Sequence, residues 1–385
     1  MRLCWVVDVF DGVKTGGVIS ARRFVEALRR RHEVTVVTGG PPGPGRVSLP
    51  AFYVPGFRRV MREMGFPFAL PRRRLLEDAF ARADVVHVQF PFPLGVRAAS
   101  IARRMGKPLV AAFHVQPENM LRNVGLGSGP LARWLSARTY RLFLRTLYRR
   151  ADAVVCPSEF AAAELRRHGL AAPAEVISNG IAPSFRPQAR ERPERHRGRF
   201  LVLAVGRLAR EKRLDVVVEG VRRSRHAGRI QLVVTGRGPE EARVIRLAAA
   251  LPVPAEVTFV SDEDLTGLLS TADVLVHASE VELEGMAVLE AMGCGLPALI
   301  ADAPHSASPA LAASPALLFR PGDPGDLAAR LDALVDDPAL LRDARQRCLE
   351  MAPAYALEES VRRLEAVYRR VARPAELTRA GARAG

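Results

Sequence analysis

Glu282, Glu284 and Glu290 surround a Gly-Met-Ala step in the stretch EVELEGMAVLEA, residues 280–291. Glu290 stands in an apolar segment, where burying an unpaired carboxylate would be costly. In a structural interpretation, Glu282 and Glu284 favour a helix N-terminus, and Glu290 is a half-exposed helix residue. In a functional interpretation, these carboxylates accept hydrogen bonds from the hydroxyl groups of a ligand.

Arg207 and Lys212 lie in the stretch AVGRLAREKRLD, where a strand ends at Gly206 and a loop enters a helix. Two fixed cations beside a helix N-terminus suit a diphosphate, because they add charge-assisted hydrogen bonds to the free N–H groups of the helix. An ordinary basic loop is the alternative. The neighbouring Arg210 and Arg213 are more easily interpreted as solvated surface residues.

Two further features lie where strands end. Gly16 and Gly17 connect the first strand to the first helix, and small residues there let a backbone approach a phosphate or a sugar closely. A tight turn is the alternative. His114 lies at the carboxyl end of the strand-like run PLVAAFHV, where it is either a structural histidine or a residue facing a ligand.

Apolar strand-like runs alternate with helical stretches along most of the chain. The first half contains LCWVVDVF, EVTVVTG, DVVHVQF, PLVAAFHV, DAVVCPS and AEVISNG. The pattern breaks at residues 184–199, which are rich in Pro, Arg and Glu, and then restarts with RFLVLAVGRL, RIQLVVTG, AEVTFV, DVLVHAS, LPALIA and PALLFR. Such alternation predicts an α/β fold with two doubly wound parallel-sheet domains, whose ligands bind at the carboxyl ends of the strands.

These patterns predict the domain boundaries. Residues 1–183 form an N-terminal domain, residues 184–199 a linker and residues 200–355 a C-terminal domain. Residues 356–385 form C-terminal helices that pack back on the N-terminal domain, followed by a short frayed tail after Pro374. The length of 385 residues also indicates two domains, because one core typically serves about 100–150 residues.

The composition limits the classes of protein that fit. The four cysteines are scattered without a CxxC pair, which favours buried thiols in a reducing cytosol over disulfides or a zinc site. No signal peptide and no membrane-spanning run is predicted. The net charge of +16 indicates attraction to membrane lipid, nucleic acid or a phosphorylated substrate, or else reflects a GC-rich genome.

The motifs VGRLAREK, VTGRGP, TADVLVHAS and ELEGMAVLE followed by AMGCGLP, in this order, resemble glycosyltransferase family 4. The resemblance covers most of the chain, since the GG loop, His114 and the VISNGI stretch fall in the expected order. It implies the GT-B architecture, in which two Rossmann-like domains face a cleft.

The resemblance also implies roles for single residues. Arg207 and Lys212 would bind the donor diphosphate, Glu282 the donor sugar and Glu290 the ribose. Gly285, Met286 and Ala287 would present backbone amides at a helix start, as would Gly16 and Gly17 in the other domain, and His114 would lie near the reacting carbon and the acceptor. As catalytic residues we therefore expect His114, Arg207, Lys212 and Glu282.

The sequence departs from the family pattern at two places. Met286 and Ala287 stand where the family often has an aromatic residue and a glycine, which leaves the shape of the sugar pocket open. Arg213 replaces a common glycine after the lysine. AFHVQPENM and the long stretch from Ser279 to Ser308 are also similar to bacterial family members that glycosylate diacylglycerol. Residues 52–76 mix aromatic residues with arginines, so they are either a surface for an anionic membrane or an ordinary loop and helix.

The sequence thus predicts a retaining glycosyltransferase that moves a hexose from a nucleotide-diphosphate sugar to an acceptor hydroxyl. The acceptor would be a membrane glycolipid or polysaccharide precursor, and the enzyme would be cytoplasmic or peripheral on the inner face of the plasma membrane. No metal, cofactor or nucleic-acid partner is expected, and no general base can be named. A sugar-nucleotide epimerase of the same architecture and a basic nucleic-acid-binding protein are the alternatives.

Overall fold

The chain forms two compact units. The structure, a computed structural model, describes residues 1–12, 15–56, 58–63, 65–123, 127 and 129–372. The first unit contains Met1–Ser178 and the chain from Glu358 onward, and the second contains Asn179–Leu357. The predicted tail after Pro374 lies outside the described residues.

A parallel sheet of seven strands forms the centre of the first unit, in the order β3-β2-β1-β6-β7-β8-β9. Its strands and a small antiparallel pair are β1 (Arg2–Val9), β2 (Glu33–Gly39), β3 (Arg46–Leu49), β4 (Ala51–Phe52), β5 (Phe68–Ala69), β6 (Val85–Val88), β7 (Leu109–Ala112), β8 (Ala153–Cys156) and β9 (Ala174–Val176). β1 is apolar because helices cover both of its faces, and its Trp5 pairs with Val36 on one side and His87 on the other.

Helices connect these strands, as right-handed parallel crossovers require. They are α1 (Gly16–Leu28), α2 (Arg58–Glu63), α3 (Arg73–Ala81), α4 (Pro93–Arg104), α5 (Pro117–Asn123), α6 (Pro130–Thr146) and α7 (Glu159–Arg167), with a short 3-10 helix at Tyr148–Arg150. The start of α7 shows how polar residues set a boundary, because the Ser158 hydroxyl accepts a hydrogen bond from the Ala161 amide at 3.1 Å.

The second unit contains a parallel sheet of six strands in the order β12-β11-β10-β13-β15-β17. The strands, including the small parallel pair β14–β16, are β10 (Phe200–Val205), β11 (Ile230–Thr235), β12 (Glu256–Thr258), β13 (Val274–His277), β14 (Val281–Glu282), β15 (Ala298–Ala301), β16 (His305–Ser306) and β17 (Leu318–Phe319). At the centre, Leu203 of β10 pairs with Val233 of β11 and with Leu275 of β13.

The helices of the second unit flank this sheet. They are α8 (Leu214–Arg223), α9 (Glu241–Ala249), α10 (Asp262–Thr271), α11 (Met286–Gly293), α12 (Pro324–Asp336) and α13 (Pro338–Met351), with short 3-10 helices at Glu194–His196, Arg210–Lys212, Ser308–Leu311, Pro315–Leu317 and Ala352–Tyr355. The predicted doubly wound α/β fold with two parallel sheets is confirmed. In each sheet the strand order reverses beside the first strand, at β1/β6 and at β10/β13, and ligands of such folds bind at this switch point.

The last helix, α14 (Leu357–Ala372), lies against the first unit. Its Tyr368 hydroxyl lies 2.8 Å from Nδ1 of the buried His87, and its Glu365 lies 2.9 Å from Nε2 of His32. Arg370 adds a hydrogen bond of 2.9 Å to Glu175.

Residues 184–199, which we predicted to be a linker, lie within the second unit. The Arg192 guanidinium donates to the Thr271 carbonyl at 2.7 Å and to Asp273 at 3.0 Å, and the Gln188 amide donates to the Ser270 hydroxyl at 3.3 Å. Hydrogen bonds from the Arg192 side chain and the Gln188 backbone, together with the buried Phe185, therefore hold this segment although it has no apolar periodicity. The division into domains at residues 183, 199 and 355 stays a prediction.

The aromatic residues of segment 52–76 pack on one another and on Phe90 and Phe92, which follow β6. The ring centres of Phe66 and Phe90 are 5.4 Å apart, those of Phe68 and Phe92 are 4.8 Å apart, and Phe52 contacts Phe68 at 6.0 Å. These contacts favour the interpretation of the segment as an ordinary loop and helix. Among the helices of the described residues, none combines the length and the apolar character needed to cross a bilayer.

Candidate active site

Gly16 and Gly17 form the start of α1, the first helix after β1, and we call this helix start the GG turn. A Cβ atom on Gly17 would lie 2.7 Å from Cε1 of Phe90 and 3.1 Å from Cβ of His114, so no larger residue fits there. The close approach brings the turn against His114, which follows β7. Gly16, Gly17 and His114 therefore form one group at the switch point of the first sheet.

Gln89, which the sequence analysis missed, holds this turn. It is fully buried directly after β6, and its Nε2 donates to the Gly17 carbonyl at 2.8 Å. Fixing the Gly17 carbonyl also fixes the direction of the peptide group that it belongs to. The available signal was a polar residue at the end of the apolar run VVHV.

His114 is half-buried at the end of β7. Burial lowers the pKa of the imidazole from 6.5 to about 4, because desolvation disfavours the charged form. His114 is therefore neutral near pH 7. A neutral imidazole can exchange hydrogen bonds with a substrate hydroxyl, and it supplies no positive charge to the phosphates.

The two cations of the second unit lie after β10. Arg207 and Lys212 line one small cavity together with Gly206 and His277, between the carboxyl ends of β10 and β13. The short helix Arg210–Lys212 brings the lysine back over the end of the strand. The structure thus places both predicted phosphate-binding residues together at the switch point of the second sheet.

Lys212 forms an ion pair with Glu282, the end residue of β14. His277, another residue missed in the sequence although it ends the run VLVH, has its Nε2 3.4 Å from the same carboxylate oxygen. Burial raises the pKa of the Glu282 carboxyl, but Lys212 and His277 outweigh it, so the pKa lies well below its usual range. Glu282 is therefore an ionised acceptor, with its side chain 17% exposed.

Arg213 explains one departure from the family pattern. It adopts a left-handed backbone conformation with φ of 48°, the conformation in which glycine is favoured. Its guanidinium donates to Asp215 at 3.1 Å and also pairs with Glu280. These contacts offset the strain of about 1 kcal/mol that a side chain incurs in this conformation, so Arg213 keeps the turn that places Lys212.

Glu284 differs from its neighbour Glu282. It is 4% exposed, and its Oε2 accepts hydrogen bonds from the Asn179 backbone amide at 3.0 Å and from Asn179 Nδ2 at 2.6 Å. A buried carboxylate with two such donors stabilises the fold. Glu284 therefore has a structural role through Asn179, and its predicted effect on a helix N-terminus stays a prediction.

The remaining residues predicted to bind the donor lie between Gly285 and Glu290. The φ of 99° at Gly285 is left-handed, and a Cβ there would lie 2.4 Å from the Ser308 hydroxyl. Met286 and Ala287 follow as the half-buried first residues of α11, where backbone amides point out of the helix start. Glu290 is 8% exposed in the same helix, so it is more buried than the structural interpretation in the sequence analysis assumed.

The structure therefore collects the predicted residues in two groups, one at the switch point of each sheet. The group in the second unit combines two cations, a helix start and the ionised carboxylate of Glu282, which suits a ligand with a central anion and hydroxyl groups. Within the described residues, no cluster of three or more His, Cys, Asp or Glu side chains has the geometry of a metal site.

Comparisons with known proteins agree on one family. The model of Glycosyltransferase Family 4 matches residues 15–185, and the model of Glycosyl transferases group 1 matches residues 185–353. A GDP-mannose-dependent alpha-mannosyltransferase of Mycolicibacterium smegmatis is 29% identical over 79% of this chain and 80% of the relative. A GDP-mannose-dependent alpha-(1-6)-phosphatidylinositol dimannoside mannosyltransferase of Mycobacterium tuberculosis is 30% identical over 78% of this chain and 79% of the relative.

A solved structure shows the same fold. The Anabaena protein HepE, crystallised in complex with UDP and glucose, superimposes with a TM-score of 0.72, covering 95% of this chain and 99% of its own at 16% identity. Such a likeness shows the fold, and the family matches and the relatives show the activity. The chain belongs to glycosyltransferase family 4, has the GT-B fold and transfers a sugar from a nucleotide-sugar donor.

Proposed function

We propose that the protein is a retaining hexosyltransferase that moves a hexose from a nucleotide-diphosphate hexose to a hydroxyl group of a membrane lipid. The observation that carries the proposal is the Lys212–Glu282 ion pair beside Arg207 at the switch point of the second sheet. This arrangement offers cations to a diphosphate and a carboxylate acceptor to a sugar within a few ångströms.

The donor is bound along the second group. Arg207 and Lys212 bind the diphosphate, and the first amides of α11 at Met286 and Ala287 add hydrogen bonds from a helix start. Glu282 accepts hydrogen bonds from the donor sugar. Glu290 accepts them from the ribose, as acidic residues do in other nucleotide folds.

Departure of the diphosphate is the step that the cations assist. Negative charge builds up on the leaving oxygen as the bond to the sugar breaks, and Lys212 and Arg207 stabilise that charge electrostatically. The proposed stabilisation of the leaving group therefore requires no metal ion.

In the first unit, we propose that Gly16 and Gly17 approach the donor with their backbone. Gln89 fixes the Gly17 peptide for this purpose. His114, neutral near pH 7, exchanges a hydrogen bond with a substrate hydroxyl.

The proposed acceptor rests on a relative and on charge. The Mycobacterium tuberculosis relative is named for a phosphatidylinositol dimannoside, a lipid-linked acceptor. The net charge of +16 would concentrate this chain at an anionic membrane surface. We therefore place the acceptor hydroxyl on a lipid headgroup.

The test measures nucleoside diphosphate released from GDP-mannose, UDP-glucose and ADP-glucose, each with and without a lipid extract. GDP-mannose is tried first because both relatives are named for it. Release from one donor, stimulated by lipid, together with a glycolipid product that retains the anomeric configuration, is the expected result.

Three variants locate the site. Lys212→Ala should lower kcat by about 10²–10³-fold, the usual effect of removing one preorganised stabilising group. Glu290→Ala should raise the KM for the donor. Arg210→Ala is the matched control, because this exposed cation of the same loop pairs with Glu240 at 3.4 Å. Equal rates for Lys212→Ala and Arg210→Ala would contradict the proposed donor site.

A further inference from the structure

An exposed apolar surface lies on α6 of the first unit. Leu131, Trp134 and Leu142 are 60%, 54% and 57% exposed, although such side chains are usually buried. The opposite side of the helix is ordinary, since Tyr140 and Phe143 are buried there. The exposure is therefore a property of one face of α6.

The exposed side chains follow helical spacing. We call them the Trp134 face, and they are Leu131, Trp134, Arg138, Arg141, Leu142 and Arg145. At 3.6 residues per turn, these positions fall within an arc of about 100°. A single flat surface could therefore contact all of them at once.

The charge of this face has one sign. The 17 residues of α6 contain four arginines and no Asp or Glu. The Arg138 guanidinium carbon lies 4.8 Å from the centre of the Trp134 ring, a cation–π contact that leaves the charge uncompensated by any carboxylate. Within the described part of the chain, Arg138, Arg141 and Arg145 form no ion pair.

A groove continues the surface beside Leu142. It has a volume of about 590 Å³, and its lining combines Pro71, Pro93 and Val96 with the cations Arg97 and Arg150. Apolar side chains beside arginines repeat the chemistry of the helix face. The surface thus extends from α6 to the start of α4.

We propose that the Trp134 face docks on an anionic lipid bilayer. This deepens the proposed function, on whose lipid acceptor it rests, by assigning the surface that holds the enzyme at the membrane. Trp134, Leu131 and Leu142 enter the boundary between headgroups and acyl chains, and the arginines contact lipid phosphates at the level of the headgroups.

The charge and the side-chain types of the Trp134 face together favour an anionic bilayer over a second copy of the chain or a nucleic acid. A second copy of the chain would bring an identical arginine-rich face against this one, and like charges would repel. Nucleic acid would attract the arginines but would leave two exposed leucines without a partner. An anionic bilayer satisfies both groups, because tryptophan and arginine are favoured at the membrane–water interface.

The chain carries its own reporter. It has two tryptophans, of which Trp5 is 1% exposed and stacks on His87 at 3.8 Å, whereas Trp134 is exposed. A change in tryptophan emission on vesicle binding therefore reports on Trp134. With the full-length protein and no donor present, vesicles of equimolar phosphatidylglycerol and phosphatidylcholine should shift the emission to the blue. Pure phosphatidylcholine vesicles should bind much more weakly.

Variants test the face in a sedimentation assay with the same vesicles. Trp134→Ala should weaken binding about tenfold. Arg138→Glu with Arg141→Glu should weaken it by about 25-fold or more, since each arginine near the surface contributes about fivefold. The matched controls lie on the exposed side of α9, with Ile245→Ala for the apolar change and Arg243→Glu with Arg246→Glu for the two charge reversals, and both should bind like the unaltered protein.

Three results would overturn the proposal. They are unshifted emission on binding, equal losses in the α6 and α9 variants, and a stable dimer in place of vesicle binding. The outcome separates from that of the proposed function, because binding is measured without donor. Failure of vesicle binding alongside lipid-stimulated release of nucleoside diphosphate would remove the docking face and keep the transferase. Vesicle binding without any glycolipid product would keep the docking face and remove the proposed lipid acceptor.

Discussion

Asp8 is a buried carboxyl group at the end of the central strand of the first unit. It is 1% exposed, and its Oδ1 accepts a hydrogen bond from the Ala69 amide at 3.2 Å. Burial raises the pKa of Asp8 from 3.8 to about 7, although that hydrogen bond lowers it in part. Asp8→Asn keeps the shape and the acceptor oxygen but removes the titration.

The pKa difference gives the size of the effect. One pKa unit corresponds to about 1.4 kcal/mol, so a shift from 3.8 to about 7 amounts to about 4 kcal/mol in the free energy of unfolding. The sign follows from proton binding. The folded state holds the proton more tightly, so Asp8 contributes this stability fully below its ordinary pKa and loses it as the pH rises through about 7.

Urea unfolding followed by tryptophan fluorescence measures this, because Trp5 and Trp134 both lie in the first unit. From pH of about 5.5 to about 8, the free energy of unfolding of the unaltered protein should fall by about 2 kcal/mol more than that of Asp8→Asn. Other groups titrate in this range in both proteins, so the difference between the two isolates Asp8.

Asp84→Asn is the control from the same unit. The backbone amide of Arg2 donates to Asp84 and lowers its pKa below 3.8, so this carboxyl stays ionised throughout the measured window. The difference in the free energy of unfolding between Asp84→Asn and the unaltered protein should therefore be the same at both pH values. If the difference in the free energy of unfolding between Asp8→Asn and the unaltered protein were equally constant, Asp8 would be ionised at both pH values. Burial would then not raise its pKa.

Two further predictions concern contacts that the sequence did not reveal. Glu284→Ala removes the acceptor of both Asn179 donors and should lower the free energy of unfolding by about 3 kcal/mol, measured by urea titration of the far-UV circular dichroism. Glu241 is an exposed helix residue, and a loss as small as that of Glu241→Ala would contradict the prediction. Gln89→Leu removes the hydrogen bond to the Gly17 carbonyl and should raise the KM for the donor about tenfold without lowering kcat to the same extent. If the variant were less stable but had an unchanged KM, Gln89 would have only a structural role.

The fold was predictable because its strands are buried on both faces. Every apolar run assigned to the second sheet, from RFLVLAVGRL to PALLFR, contains one of its strands. In the first sheet the prediction missed β3, Arg46–Leu49, a short edge strand. It lies between PPGPG and Pro50, and such turn residues hide a strand of four residues.

The candidate site was less predictable, because roles depended on contacts distant in sequence. Glu282 and Glu284 look alike in the sequence, yet one pairs with Lys212 and the other with Asn179, which is 105 positions away. Arg213 was interpreted as a surface residue, because an arginine side chain gives no indication that its backbone adopts a left-handed φ. Residue types at strand ends therefore locate a site, whereas the partner of each side chain needs the structure.

The Lys212–Glu282 pair indicates how the proposed site would distinguish an intact donor from free nucleoside diphosphate. Without donor, the two charges neutralise each other in a largely buried place, with side chains 22% and 17% exposed. When a diphosphate attracts Lys212, Glu282 keeps only the contact with His277, and a largely buried carboxylate with so little compensation is costly. The hydroxyl groups of a donor sugar can supply new hydrogen bonds to Glu282, whereas a nucleoside diphosphate without the sugar cannot. The ion pair would thus favour the substrate over the product that has lost its sugar, which helps the product to leave.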